Sequence, residues 1–441
     1  MLGKKKSIFL LLLLCLAQEV WGTRHTITHN PTIDFRPFQG WRPAPESIKS
    51  FTCPPYNSMN PTYAHEFART HPENFIHIIR PDINLMPDSE LYTKTAASKG
   101  KEYLNELIEK NIIQQDTQPA YYLYCQQKNN KKMYGIIGEL ALQNYRDGLI
   151  KPHEKIISAK KRAVTTFTKI QQAQIDPIVL TYKNNPTIDI IIETIARNKP
   201  SQQIITEDEA IHQLWVINDH KTINQLAQNF AALTALYVAD GHHRSASANQ
   251  LFKKEPNNPF YHHILAALFS DTSIAILAYN RLLKSLSGIS TYAFLNVVKK
   301  SFRVKRVDVA QLAEPKHVHE LGMLLDGTWY SLHLQEKFIA MRQNNPVESL
   351  DITILDELLL RPFFKVRRLI IDQDIEFIGG LKNTQELERE CRQGGWQIAF
   401  ALYPISSQQL MDVVDAGQLM PAKATWFEPK IRPGLVIRCG N

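Results

Sequence analysis

From Pro177 to Phe269, short apolar runs alternate with longer stretches whose apolar residues fall at helical spacing. This alternation restricts the fold more than any other feature of the chain. Pro177–Thr181, Ala210–Ile217, Leu236–Ala239 and His263–Phe269 are too short for helices and read as strands, whereas Thr187–Arg197, Lys221–Ala235 and Arg244–Lys253 read as helices. Upstream, Tyr121–Cys125 and Met133–Leu142 predict an antiparallel pair across a polar QQKNNKK turn. Phe75–Pro81 predicts a strand closed by proline, Ser89–Ile113 a helix, and Asp147–Lys155 a loop leading into a helix. Downstream, helices are expected near Tyr292–Phe302, Asp351–Leu360 and Ser407–Asp415. A strand pair is expected around Gly322–Leu334, turning at Gly327, and a further strand at Gln397–Leu402. Mixed sheets with helices are the result, an α/β to α+β architecture rather than an all-α or all-β one.

A chain of 441 residues exceeds what one hydrophobic core usually organises, so several regions are expected. Three lysines (Lys4–Lys6), an apolar run from Ile8 to Ala17 and a Val20–Trp21–Gly22 exit have the form of a secretory signal. The run is too short to span a bilayer, so no membrane span is expected after cleavage and the protein is expected to be periplasmic or secreted. A mis-assigned start would leave it cytoplasmic instead. The resulting division is 1–22 signal peptide, 23–34 linker, 35–215 an N-terminal α+β region, 216–300 the region around the DGHHR sequence at Asp240–Arg244, and 301–441 a C-terminal α/β region. Cys53, Cys125, Cys391 and Cys439 fit no zinc spacing; an exported chain allows one or two disulfides, but buried free thiols are the expectation. The net charge of +8 is spread over Lys160–Arg162, Lys253–Lys254 and Lys299–Arg306, which reads as solvated helix faces rather than a nucleic-acid stripe.

The segment YVADGHHRSASA, Tyr237–Ala248, concentrates chemistry. A strand ending at Asp240, a turn at Gly241 and a helix beginning at once would aim unpaired amides at an anion. His242, His243 and Arg244 add cationic or donor groups, and an arginine can grip two phosphate oxygens. Asp240 either takes a proton or holds Mg²⁺, or it simply caps the helix. His153 and Glu154 follow Pro152 in a polar loop; Glu154 is either a base or metal carboxylate, or a helix cap. Two adjacent histidines without a third ligand make a poor transition-metal site, so the metal is left open. In the tail, Lys423, Thr425, Glu428 and Lys430 flank Trp426 and Phe427, and Lys423 and Glu428 are candidates for a cleft.

YVADGHHRSASA resembles the hallmark of the domain-of-unknown-function family one thousand and fifteen. FRPFQGWRPAP from Phe35, CPPYN at Cys53–Asn57, KPHEK at Lys151–Lys155, HQLW at His212–Trp215, AYNR at Ala278–Arg281, EFIGG at Glu376–Gly380 and the block Ala401–Pro429 resemble its other motifs, in family order. The chain departs from the pattern at Asn57, where the family usually has Asp, at Ala163 and Val164, where it usually has an Asp-Arg pair, and at Asp372–Asp374, where two cationic positions are lost. Further out, the DGHHR box is similar to that of the ParB and sulfiredoxin superfamily, which includes nucleotide-dependent partition proteins and free-serine kinases. That resemblance implies a nucleotide, ATP or ADP, with Mg²⁺. It would make Gly241, His242, His243 and Arg244 phosphate-binding; a phosphotransferase built on them would take its catalytic groups from Asp240 and, in the loop after Pro152, Glu154 and His153. Three functions are therefore expected to compete: transfer of phosphate to a small hydroxyl compound, a ParB-like nucleotide- and DNA-binding protein, and an exported non-catalytic relative. No helix-turn-helix pattern supports the second, and nucleic acid is not an expected partner.

Overall fold

The computed structural model describes residues 31–440 apart from 56–58, 60, 86–88, 287, 365–373 and 381. The signal-peptide reading, most of the linker, Asn57, Asp372 and Gln373 lie outside the described residues. Within them, two large sheets organise the chain, an α/β mixed fold.

The first sheet has nine strands: β1 (Phe35–Arg36), β2 (Tyr121–Lys128), β3 (Lys131–Ala141), β4 (Ile150–Lys151), β5 (Ile178–Tyr182), β6 (Gln202–Ile205), β7 (Ile211–Ile217), β8 (Leu236–Asp240) and β9 (His263–Ser270). Their spatial order is β4-β8-β5-β9-β3-β2-β7-β6, with β1 paired to β3. Residues 35–215 and 216–300 thus both contribute to one sheet. The hairpin β2–β3 forms as its pattern predicts, but around a two-residue turn: Asn129 and Asn130 take φ of 49° and 62°, the left-handed geometry that matches strand twist. Six consecutive residues of β2 are buried, because the sheet is covered on both faces. Tyr121, Leu123, Leu180 and Val238 face one side. Tyr122, Tyr124, Ile137 and Phe269 face the other, and they share a core with Phe294, Leu321 and Phe400. Each such side chain contributes roughly 1.5–3 kcal/mol on burial.

That shared core joins the second sheet: β10 (Tyr279–Leu283), β11 (Phe302–Val307), β12 (Glu320–Leu325), β13 (Thr328–Leu334), β14 (Ile375–Gly379) and β15 (Ile398–Leu402). All its pairings are antiparallel, in the order β11-β13-β12-β15-β10-β14. Three helices, α1 (Lys94–Glu109), α2 (Ser158–Gln171) and α3 (His242–Lys254), pack together, with α2 touching both of the others. The strand expected at Phe75–Pro81 is instead a helical turn, Ile76–Ile79, followed by a 3-10 turn, Pro81–Asn84. Asn74 accepts the Ile76 amide through its side chain and starts the turn. Ile76, His77, Ile78 and Ile79 are all buried, so the run has no exposed face from which period two could be told from period 3.6. The four described thiols are free; Cys53, Cys125 and Cys391 are buried and Cys439 is half-buried. Among the described residues no helix is long and apolar enough to cross a membrane.

Candidate functional site

The direction of four neighbouring strands gathers the site at one edge of the first sheet. β4 and β8 run parallel, so their carboxyl ends emerge together, carrying Pro152–Glu154 and Asp240–Arg244. β5 is antiparallel to β8 and parallel to β9, so the amino ends of β5 and β9 reach the same edge and bring Asp176, Ile264 and Leu265. Within β8 the register slips between Val238 and Asp240, a bulge that re-aims the last residue of the strand. Gly241 comes next with φ +91°; a Cβ there would lie 2.8 Å from Ile178 Cγ2, so both space and backbone demand glycine. α3 begins at His242, two residues earlier than its apolar pattern predicts, and the turn shrinks to Gly241 alone.

The box side chains are held differently. Arg244 Nη1 donates to the Asp176 and Pro177 carbonyls, both at 2.7 Å, and pairs with the Asp176 carboxylate. Its Nη2 lies 3.3 Å from Asp240 Oδ2. The guanidinium therefore ties the ends of β5 and β8 together, with protein oxygens already at its fork. Burial pushes the Asp240 carboxyl up, yet Lys430, 3.8 Å away, and Arg244 pull it down further, and the net position is below the usual carboxylate range. Burial and the Asp240 charge push Glu154 above its usual range, against Lys423, Lys430 and Lys160. Asp176 is raised, by burial first.

All three histidines are held neutral. Burial, then His243 and Arg244, drive His242 down to about 3. Burial and His242 hold His153 far below the usual imidazole range, and burial and Lys160 lower His243. The box histidines thus offer hydrogen bonds, not charge. The His153 amide donates to His242 Nε2 at 3.4 Å, which leaves the ring proton on His242 Nδ1, facing Glu154 Oε2 at 3.6 Å. His153, Glu154 and His242 are close enough to share a cation, their ligand atoms lying within 4.8 Å of one another. A ring nitrogen carrying its proton toward Glu154 does not ligate, so this set does not fit a metal in the arrangement seen.

A chamber of about 380 Å³ opens at the box. Asp176, Asp240, His243, Arg244, Glu154 and Lys160 give it its charged lining. One face of α2 (Lys160, Val164, Phe167, Thr168, Gln171) forms a wall, and Ile79, Tyr92 and Ile264 also line it. Ser247 Oγ donates to Thr165 Oγ1 at 2.9 Å and locks α3 to α2. Asp176, Lys160 and Gln171 belong to no motif; only an Asp-Pro step before a strand and a charge on a helical face mark the first two in the sequence. Of the tail residues, Lys423 and Lys430 act electrostatically on Glu154, and Thr425 Oγ1 lies 3.3 Å from His153 Nε2. The Glu428 carboxylate accepts from Trp426 Nε1 at 2.8 Å and from the Lys430 amide at 3.1 Å.

A family model described as "Protein of unknown function (DUF1015)" matches residues 35–353. The chain belongs to that family. No curated protein matches it in sequence. Among solved structures, a free serine kinase in complex with AMP is similar at 13% identity and a TM-score of 0.33, over 68% of this chain and 92% of that one. SbnI with a C-terminal truncation, from Staphylococcus aureus, is similar at 12% and 0.34, over 67% and 84%. A conserved hypothetical protein from Pyrococcus furiosus is similar at 12% and 0.31, over 70% and 97%. Two segments outside the box pack near the tail. The buried Arg281 donates to the Lys423 carbonyl at 2.9 Å, and a Cβ on Gly379 or Gly380 would strike Trp426 or Leu277, each at 2.2 Å. Val164 is part of the chamber wall and gives it apolar lining.

Proposed function

We propose that the box binds the phosphates of a nucleotide and that the site transfers a phosphoryl group to a small hydroxyl compound. The observation that carries this reading is that Glu154, Asp240 and Lys160 line one chamber with Gly241, His242 and His243 at the start of α3; burial raises the Glu154 carboxyl, while Lys430 and Arg244 outweigh burial and lower Asp240. Carboxylates pushed apart in this way divide the labour of acid–base chemistry. Glu154 is the proton acceptor, its affinity raised toward working pH. The hydroxyl oxygen forms its bond to phosphorus, its proton passes to Glu154, and the bond to the leaving nucleotide breaks. The first amides of α3 and the neutral His243 donate to phosphate oxygens, His242 turns its one ring proton to Glu154, and Lys160, Lys423 and Lys430 supply the positive charge. Arg244 positions Asp176 and Asp240. Asp240, ionised and reachable from solvent, has the donor chemistry for Mg²⁺, which would neutralise phosphate charge.

The test pairs calorimetry using ATP, ADP and pyrophosphate with a transfer assay using labelled ATP, Mg²⁺ and hydroxyl compounds including free serine. Glu154→Gln is expected to keep nucleotide affinity and lose transfer by about two orders of magnitude or more. Transfer by the variant at the wild-type rate would remove Glu154 from the chemistry, and a wild type that binds none of the three ligands would overturn the box reading.

A further inference from the structure

We infer that the outer edge of β11, at one end of the second sheet, docks an extended acidic peptide segment of a partner protein by taking it up as a further strand.

Among the described residues β11 pairs only with β13. Just before β11 the Gln335 amide donates to the Ser301 carbonyl at 3.0 Å, whereas the Leu334 amide donates the other way, to the His319 carbonyl. Bonded and unbonded pairs alternate along an antiparallel ladder. Arg303, Lys305 and Val307 therefore exchange hydrogen bonds with β13, while Val304 and Arg306 turn both backbone groups outward. The Phe302 amide is taken by the Val298 carbonyl of the preceding helix, so only its carbonyl joins them.

The same edge is cationic. Lys299 and Lys300 end the helix Thr291–Ser301, and Arg303, Lys305 and Arg306 follow on the strand, all of them exposed. None of these pairs with a carboxylate among the described residues, and none lines the chamber. Arg303 and Lys305 share one face with Val307, and Arg306 stands on the opposite face with Val304.

Lysines also guard sheet edges against stray pairing. The first sheet guards its ends by other means. β4 is two residues long, and the uncharged β6 is met by the Pro43 carbonyl, which accepts from Gln202 Nε2 at 2.7 Å. A nucleic acid would meet the cations of β11 but has no regular row of donors and acceptors for its outward amides and carbonyls. A second copy of β11 would set like charges against each other. A peptide strand with carboxylates at alternate positions answers both features: its backbone pairs with Val304 and Arg306, and its side chains face Arg303 and Lys305.

Fluorescence anisotropy on the full chain tests this with labelled octapeptides. One alternates Glu and Thr, one alternates Lys and Thr, and one is the Glu–Thr peptide methylated on every backbone nitrogen, which keeps the charge and loses the amide donors. The Glu–Thr peptide is expected to bind saturably, at least about tenfold more tightly than either of the others. Oligothymidylate of equal charge is expected to bind no better than the methylated peptide. The double variant Arg303→Glu/Lys305→Glu is expected to reverse the preference toward the Lys–Thr peptide. The peptide comparison on the wild type stands even if that variant does not fold. No saturable binding of the Glu–Thr peptide overturns the proposal. Equal binding of the methylated peptide would mean attraction of any anion, and tighter binding of oligothymidylate would give the edge to nucleic acid; either rejects strand addition. A folded double variant that still prefers the Glu–Thr peptide overturns the assignment of Arg303 and Lys305.

Discussion

At the scale of single residues, the site depends on where backbone freedom and charge have been placed. Gly241→Ala forces a methyl against Ile178 at φ +91°, so a loss of about 1–3 kcal/mol in denaturant unfolding is expected. The loss should come with weakened phosphate binding, because the start of α3 must shift. The neutral histidines make a second prediction. His242 is held at about 3 and the buried His212 at about 4, each lowered first by burial. Below the usual imidazole range the unfolded chain takes up protons that the folded chain refuses. Stability is therefore full above pH 7 and is lost as pH falls toward 4, by on the order of 2 kcal/mol for each ring. Thermal melts at pH 7 and pH 4.5 measure it, and an unchanged midpoint would mean that these rings are not held neutral. The box itself is legible in the sequence because its residues are contiguous. Asp176, Lys160 and Gln171 are not, since only the fold brings them to one chamber with Asp240.

Among elements, the sharpest contact is between α2 and α3, where the Ser247 hydroxyl donates to Thr165 Oγ1. Ser247→Ala removes one buried hydrogen bond and should cost about 0.5–1.5 kcal/mol, read from a shift in denaturant midpoint. It should also weaken nucleotide binding, since α2 is a chamber wall; full affinity at reduced stability would show that the helices hold their places without it. Long elements obey periodicity: β2–β3, β9, Pro186–Ala196 and His220–Ala231 lie within a few residues of where the pattern puts them. The short apolar strands β5, β8 and β15 do so as well, but two short strands with little apolar pattern escape it. Among the described residues β6 pairs only with β7, and Ala275–Leu277 finds its partner, Trp426–Glu428, far along the chain. At Phe75–Pro81 the apolar run is buried all round, so its period carries no signal.

At the scale of the molecule, the matched family region ends before the second sheet is complete. Residues 35–353 omit β15, which lies between β12 and β10 at the middle of that sheet, and β14 at its edge. A chain cut after residue 353 should therefore be insoluble or lack a cooperative melt, whereas a soluble, cooperatively folding fragment would show that the shared core does not need β15. Export remains a separate proposal, and mass spectrometry of the mature chain is expected to find cleavage near Gly22; a soluble product still beginning at Met1 would reject it. The reach of the tail has a consequence in time. Thr425 meets His153 across 272 positions of sequence. A ribosome has made the loop with Glu154 and the whole box long before it makes Lys423 or Lys430. The nascent chain carries half a site, acidic at its mouth and short of the lysines that would draw in phosphate. The proposed transfer would therefore start only once the far end of the chain has been made and folded back, and a chain that stalls on the way would gain no such activity to misuse.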